Sequence, residues 1–191
     1  MDKVSIKELK NGSQTGFKQL VESHKNKVIN TCFGFVHNRA DAEDIAQDVF
    51  VEVYQSVNNF NEDSSISTWI YRIAVNKSLD FIRKSKRKKR WAELTRINLD
   101  SKNETDHWFA DDNNPQLTLE NLERTKILNS AIDTLPQNQR TAFTLHKYED
   151  LSYKEVAEIL NTSVSSVESL MHRAKINLQQ KLEKYYLSEK N

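Results

Sequence analysis

The chain has 191 residues and a net charge of +1, from 28 Lys plus Arg against 27 Asp plus Glu; that length suits one large domain or two small ones. Three Gly and two Pro leave few tight turns for a β-sandwich or barrel, and nothing from which to build a Gly-rich phosphate loop. The single cysteine, Cys32, excludes an intramolecular disulfide and a multi-cysteine zinc site. No apolar run approaches the roughly 18 residues of a membrane span, and the first ten residues lack the apolar stretch of a signal peptide. The expectation is a reduced, soluble, cytoplasmic, mostly helical protein.

The near-neutral total hides an internal asymmetry. Residues 1–95 carry 16 basic and 12 acidic side chains, residues 96–123 carry 2 and 7, and residues 124–191 carry 10 and 8. Two basic blocks around an acidic connector suggest two modules and a linker. In the first module, Phe17, Leu20, Val21, Val28, Ile29, Phe33 and Val36 recur at helical spacing over residues 14–38. Cys32 lies in that apolar stretch and reads as a small core residue. A second helix is expected from Asp41, with Ile45, Val49, Val53 and Val57 as its apolar stripe and Phe50 and Tyr54 widening it. Asp44, Asp48 and Glu52 share another face, one turn apart. Like charges at that spacing repel, so the face is either solvated or a docking surface for a basic partner.

Residues 58–65 are polar and read as a loop. A third helix follows, capped by Ser65 or Ser67, through Trp69, Ile70, Ile73, Ala74 and Phe81. Trp69, Arg72, Asn76 and Arg83 fall on one side of it, with Ile70, Ile73, Ala74 and Phe81 on the other. An outward Trp between Arg and an amide suits nucleic acid: the indole stacks, Asn pairs with a base edge, Arg meets phosphate. The competing reading makes Trp69 part of the core. The run Arg83–Arg90 holds seven basic residues and is either a phosphate-contacting segment or a solvated tail. Residues 96–118 read as an acidic linker, with Trp108 and Phe109 able to dock somewhere.

The second module is expected to begin near Leu119, with helices over about 119–134, 137–148, 152–160 and 164–185, and with Pro136 in the first turn of the second of these. Ser152 and Glu155 form a capping box. Val156, Ala157 and Leu160 are the expected buried stripe, the small Ala157 allowing a close helix crossing. Asn161-Thr162-Ser163 is the turn, and Val164, Val167, Leu170, Ala174 and Leu178 are expected to bury the following helix. This is a helix-turn-helix pattern. It leaves Ser165, Ser166, Glu168, Ser169, His172 and Arg173 outward to meet base edges and backbone, with Lys154 and Lys175 suited to phosphates. An ordinary helical hairpin is the competing reading. The five histidines show no metal-ligand spacing; no cofactor, no metal and no catalytic constellation are expected.

Taken in order, DAEDIAQDVFVEVYQSVNNF, STWIYRIAVNKSLDFIRK and LPQNQRTAFTLHKYEDLSYKEVAEILNTSVSSVESLMHRAK resemble a bacterial sigma factor of the sigma-70 family. Two modules and nothing else match its extracytoplasmic-function (ECF) group. The resemblance covers about residues 14–90 and 119–185. It implies an all-α chain of two small domains: a sigma-2 bundle over 14–90 and a sigma-4 helix-turn-helix domain over 119–186, joined by a flexible acidic linker over 91–118. It implies docking of Asp44, Gln47, Asp48 and Glu52 on the β′ coiled coil of core RNA polymerase, with β the other subunit contacted. It also implies −10 promoter contacts by Asn59, Phe60, Trp69, Arg72, Asn76, Lys77 and Arg83, where the loop 58–66 captures a flipped base. The −35 contacts would come from Lys154, Ser165, Ser166, Glu168, Ser169, His172 and Arg173. An alternative sigma factor of this kind directs polymerase to a subset of promoters and assists −10 melting without bond chemistry. It is expected to be monomeric when free and masked by an anti-sigma factor.

The chain departs from the family at three places. Trp69-Ile70 stands where primary sigma factors carry two Trp, which implies weaker melting. Glu168 stands where many relatives are basic; it accepts from cytosine but repels phosphate. His172 replaces a position often aromatic or basic. A stand-alone helix-turn-helix regulator, which would bind an operator by itself, is the competing function.

Overall fold

The structure, a computed structural model, describes residues 6–94 and 115–188. The chain divides into two compact units, Met1–Lys102 and Asn103–Asn191, each considered by itself.

Unit 1 contains α1 (Ile6–Lys10), α2 (Gln14–Val36), α3 (Arg39–Ser56), a short 3₁₀ turn (Val57–Asn59) and α4 (Ile66–Leu94). Helices α2, α3 and α4 pack against one another in all three pairings. The helix borders follow from local chemistry. Ser13 caps α2 by accepting the Gly16 N–H at 3.1 Å. His37 ends α2 in the left-handed region at φ 55°, and its N–H donates to the Phe33 carbonyl. Asn38 then caps α3, its side chain accepting the Asp41 N–H at 2.9 Å. Adjacent capping residues thus make the corner between α2 and α3 without a glycine.

The stripe Ile45, Val49, Val53 and Val57 is buried with Leu20, Val28, Ile29, Cys32, Ile70 and Ala74. Burying each larger aliphatic side chain contributes about 1.5–3 kcal/mol, so this cluster holds the three helices together. Three expectations need correction, and one helix, α1, was not among the expected elements. Tyr54 is exposed, resting edge-on against Phe17 at 5.0 Å rather than extending the core. Helix α3 starts at Arg39, because Asn38 and not a later residue supplies the cap. Leu9 is buried, so the N-terminal segment forms α1 against α2. Helix α4 continues through the basic run to Leu94, and α5 begins at Pro115, so residues 91–94 and 115–118 are helical where a connector was expected. Trp108 and Phe109 lie outside the described residues.

Unit 2 contains α5 (Pro115–Asp133), α6 (Gln137–Tyr148), α7 (Tyr153–Leu160) and α8 (Val164–Ser188). Pro136 sits at the cap of α6 rather than inside its first turn. The buried Arg140 guanidinium, 2.6 Å from the Asp133 carboxylate, ties α6 back to the end of α5. Both bonds of the capping box form: the Glu155 N–H donates to Ser152 Oγ, and the Ser152 N–H to Glu155 Oε2. Asn161 ends α7 at φ 50°, and the Thr162 N–H closes the turn on the Ala157 carbonyl at 2.9 Å. Val156, Ala157, Val167, Met171, Ala174 and Leu178 are buried. Ile159 and Met171 occupy the positions expected of Leu160 and Leu170, which are only half-buried, and Val164 is exposed. The rest of the expected stripe holds, and Met171, one turn after Val167 and one before Ala174, completes it on α8, which packs on α5, α6 and α7.

Candidate polymerase and nucleic-acid interfaces

Three surfaces carry the residues singled out in the sequence. The first is the outer face of α3. Asp44, Gln47, Asp48 and Glu52 are all exposed. Between them stands Val51, 54 % exposed, with Tyr54, 53 % exposed, beside it. The face is therefore an apolar centre with an acidic border. Sequence reasoning passed over Val51; a β-branched apolar residue one turn after Asp48, two turns after Asp44 and next to Glu52 was the signal. The Asp41 carboxyl, at the N-terminal end of the face, is raised above its ordinary pKa by partial burial first and by Asp44 second. Glu52 lies at the edge of the face nearest α4, and its Oε2 is 2.7 Å from Nζ of Lys77. The structure thus joins two residues that the sequence assigned to different partners.

The second surface is the N-terminal half of α4. Ser65 is the cap, its Oγ accepting the Thr68 N–H at 3.0 Å. Trp69 is half-buried against the core and lies over Phe60, with ring centroids 5.0 Å apart and planes tilted by 32°. Phe60 itself is only 4 % exposed. That corrects the expectation of Phe60 as a surface contact: it is the floor on which the indole rests. Trp69 thus joins the core in part, as the core reading expects, and keeps part of its surface exposed. Asn59 and Asn76 are exposed, and Arg72 is half-buried. Arg83 is exposed and pairs with Asp80 at 2.8 Å, one turn away. Because α4 stays helical, Arg87 and Arg90, four and seven residues beyond Arg83, continue the same face.

A histidine that the sequence reading left without a role steadies this end of α4. The Nδ1 of His24 is 3.0 Å from the Leu20 carbonyl, and Nε2 is 3.0 Å from Ser67 Oγ. A carbonyl only accepts, so Nδ1 carries the proton and Nε2 accepts from the Ser67 hydroxyl. Burial pushes the imidazole pKa below its ordinary value; the Leu20 carbonyl opposes that, and Lys27 adds to it. His24 therefore couples α2 to the first turn of α4 in its neutral form.

The third surface is the helix-turn-helix. Ser163 caps α8, accepting the Ser166 N–H at 3.2 Å. Its hydroxyl also lies within 3.0 Å of those of Ser165 and Ser166. Ser165, Glu168, Ser169, His172 and Arg173 are exposed, Ser166 is half-buried, and Lys154 is exposed on α7. The Ser169 hydroxyl donates to the Ser165 carbonyl of its own helix. Glu168 is consequently the one acidic side chain among the outward residues of the first turns. Among the described residues no group of His, Cys, Asp and Glu can hold a metal ion, and no helix is long and apolar enough to cross a membrane.

Comparison with known proteins matches residues 20–88 to Sigma-70 region 2 and residues 125–178 to Sigma-70, region 4. The chain is 32 % identical over 182 residues to the ECF RNA polymerase sigma factor SigW of Bacillus subtilis (strain 168), covering 95 % of this chain and 97 % of that one. The chain belongs to the ECF group of sigma-70 family sigma factors. As such it is an alternative sigma factor, directing RNA polymerase to promoters. The RNA polymerase sigma-H factor of Pseudomonas aeruginosa is 30 % identical to this ECF factor over 91 % of its chain and 90 % of the relative. The fold resembles that of CnrH, solved in complex with the cytosolic domain of CnrY, at TM-score 0.64 and 24 % identity, over 94 % of this chain and 95 % of that one. It also resembles the sigma factor RpoE of Bartonella quintana, solved with the anti-sigma factor NepR, at TM-score 0.63 and 20 % identity, over 87 % and 96 %.

Proposed function

We propose that this ECF sigma factor divides its task among the three surfaces. The outer face of α3, with Asp44, Gln47 and Asp48 around Val51 and with Glu52 at its edge, docks on a basic surface of core polymerase, the β′ coiled coil. An apolar centre supplies burial and the acidic border supplies steering and register. The exposed side of Trp69 stacks on the base pair at the upstream edge of the −10 bubble. Asn76 reads the duplex beside it. Arg72 and Arg83 hold phosphates, and Asn59 lies where a flipped base would be received, above the Phe60 floor. From Asn76 to Arg90 is about 21 Å of helix at 1.5 Å per residue. At 3.4 Å per base pair that row runs beside about six base pairs of upstream duplex.

Helix α8 enters the major groove of the −35 element, with Ser165, Ser166, Glu168, Ser169 and His172 toward base edges and Arg173 and Lys154 toward phosphates. The reading requires no bond chemistry and places the protein in the cytoplasm with polymerase. The structural neighbours solved with CnrY and NepR support an anti-sigma partner that covers one or more of these surfaces.

The observation that carries the reading is Trp69, half-exposed on a buried aromatic floor and in line with Asn76 and Arg83. Binding of labelled protein to bacterial core RNA polymerase, followed by fluorescence anisotropy, tests it. Asp48→Arg is expected to weaken binding at least tenfold and leave the helical circular dichroism intact, since Asp48 is exposed. Unchanged affinity refutes docking through α3.

A further inference from the structure

The ion pair between Glu52 and Lys77 joins the proposed docking helix to the proposed DNA-reading helix. Its Nζ–Oε2 distance is 2.7 Å, and both side chains are partly exposed, Lys77 at 35 % and Glu52 at 48 %. Lys77 reaches across from α4, next in sequence to Asn76. Glu52 belongs to the border of the same face as Asp44 and Asp48, one turn beyond Asp48. One carboxylate therefore has two possible cationic partners: the lysine of its own unit, or a basic group arriving on the α3 face. One lysine likewise has two anionic partners: Glu52, or a phosphate beside Asn76.

We propose that the Glu52–Lys77 pair is an electrostatic latch, in which a basic docking partner draws Glu52 away and sends Lys77 to the DNA backbone. The inference rests on the docking of α3 proposed above. Two effects of the partner act in the same direction. Its cations compete for the Glu52 carboxylate, and their field repels the Lys77 ammonium from the docking side. The latch is soft by construction. A solvent-exposed pair of this geometry shifts an equilibrium by no more than about fivefold. That is small enough for a multi-charge docking surface to open it, and large enough to lower the share of free chains whose Lys77 faces DNA. The sign follows: the sigma factor makes one phosphate contact more on polymerase than off it.

The acylation rate of Lys77, read by mass spectrometry with N-hydroxysuccinimide acetate as the probe, tests the latch on the full chain. The probe reaches an amine released from a carboxylate more readily than one held in an ion pair. The expected result is a rise of about threefold in Glu52→Gln, and a comparable rise when the wild-type chain is bound to core polymerase, in line with the strength of an exposed pair. A rise in Glu52→Gln without one in the complex overturns the latch and makes the pair a fixed strut; no change in either overturns the pair itself. Anisotropy on the same samples keeps the two ideas separate, because absence of binding to polymerase defeats the docking reading instead.

Salt dependence supplies a second readout. On a fluorescein-labelled duplex of arbitrary sequence, free Glu52→Gln should show a steeper dependence of affinity on salt than wild type, by about 0.9 in log–log slope, the increment for one phosphate. Adding Lys77→Gln should return the slope to its wild-type value. An equal slope in wild type and Glu52→Gln contradicts the delivery of Lys77 to phosphate.

Discussion

The face proposed to read the −10 element and the face proposed to read the −35 element are built in opposite ways. On α4 the reader is part of the core: Trp69 packs on buried Phe60, and the turn that carries it is tied to α2 through His24 and Ser67. On α8 the readers stand apart from the core. Val167, Met171 and Ala174 are buried, while Ser165, Glu168, Ser169 and His172 project away from them. The difference teaches where sequence can drift. On the proposed roles, a change on the α8 face is expected to alter recognition and leave stability alone, and a change at Trp69 or beneath it to alter both. Melting DNA needs a stiff wedge held in place, whereas reading an intact groove needs only a surface of donors and acceptors.

The most severe way to break the α4 arrangement is Phe60→Ala. Removing a buried aromatic ring should cost about 3 kcal/mol of unit 1 stability in urea unfolding. It should also abolish promoter opening followed by permanganate reactivity. Loss of opening with unit 1 stability unchanged would mean that the floor is not structural. On α8 the counterpart is Glu168→Gln. A −35 library selected with this variant should differ from the wild-type selection at one base pair, by about 1–3 kcal/mol of discrimination, with unfolding unchanged to within about 0.5 kcal/mol, as for a surface substitution. An altered unfolding midpoint would contradict the separation of readers from core.

The smallest effect belongs to His24. Its pKa is lowered in the fold, so the neutral form is favoured there. The stability it contributes is complete above its unfolded value near 6.5 and is lost as pH falls below that value toward the folded pKa. Urea midpoints should fall between pH 7 and pH 5 more in the wild type than in His24→Gln. Parallel curves would remove His24 as the titrating group.

Much of this architecture is legible in the chain itself. The periodic apolar stripes announce α2 and α3, and Ser152 with Glu155 announces the start of α7, because amphipathic period and capping are local signals. The extension of α4 is not legible for the same reason: Arg83–Arg90 contains no apolar residue and so has no period to read. Met171 was legible too, since it falls at i+4 from Val167 and Leu170 lies at the edge of that stripe. Of the candidate site residues, exposure of the α8 set could be anticipated from the buried stripe opposite. The burial of Phe60 and the pairing of Glu52 with Lys77 could not, because each is a tertiary contact made across a helix boundary. Tyr54 misled because an aromatic ring beside an apolar stripe can also lie flat at the surface, as it does against Phe17.

The seven cations of Arg83–Arg90 follow one another so closely that they point to every side of α4, not along one stripe. Three pairs four residues apart and four pairs three residues apart repel, together costing the helix about 1.5–3.5 kcal/mol at low ionic strength. The distal part of α4 is thus a polyelectrolyte whose winding is opposed by its own charge. Anything that neutralises it, whether added salt or a phosphate backbone alongside, relieves that cost and steadies the last turns of the helix.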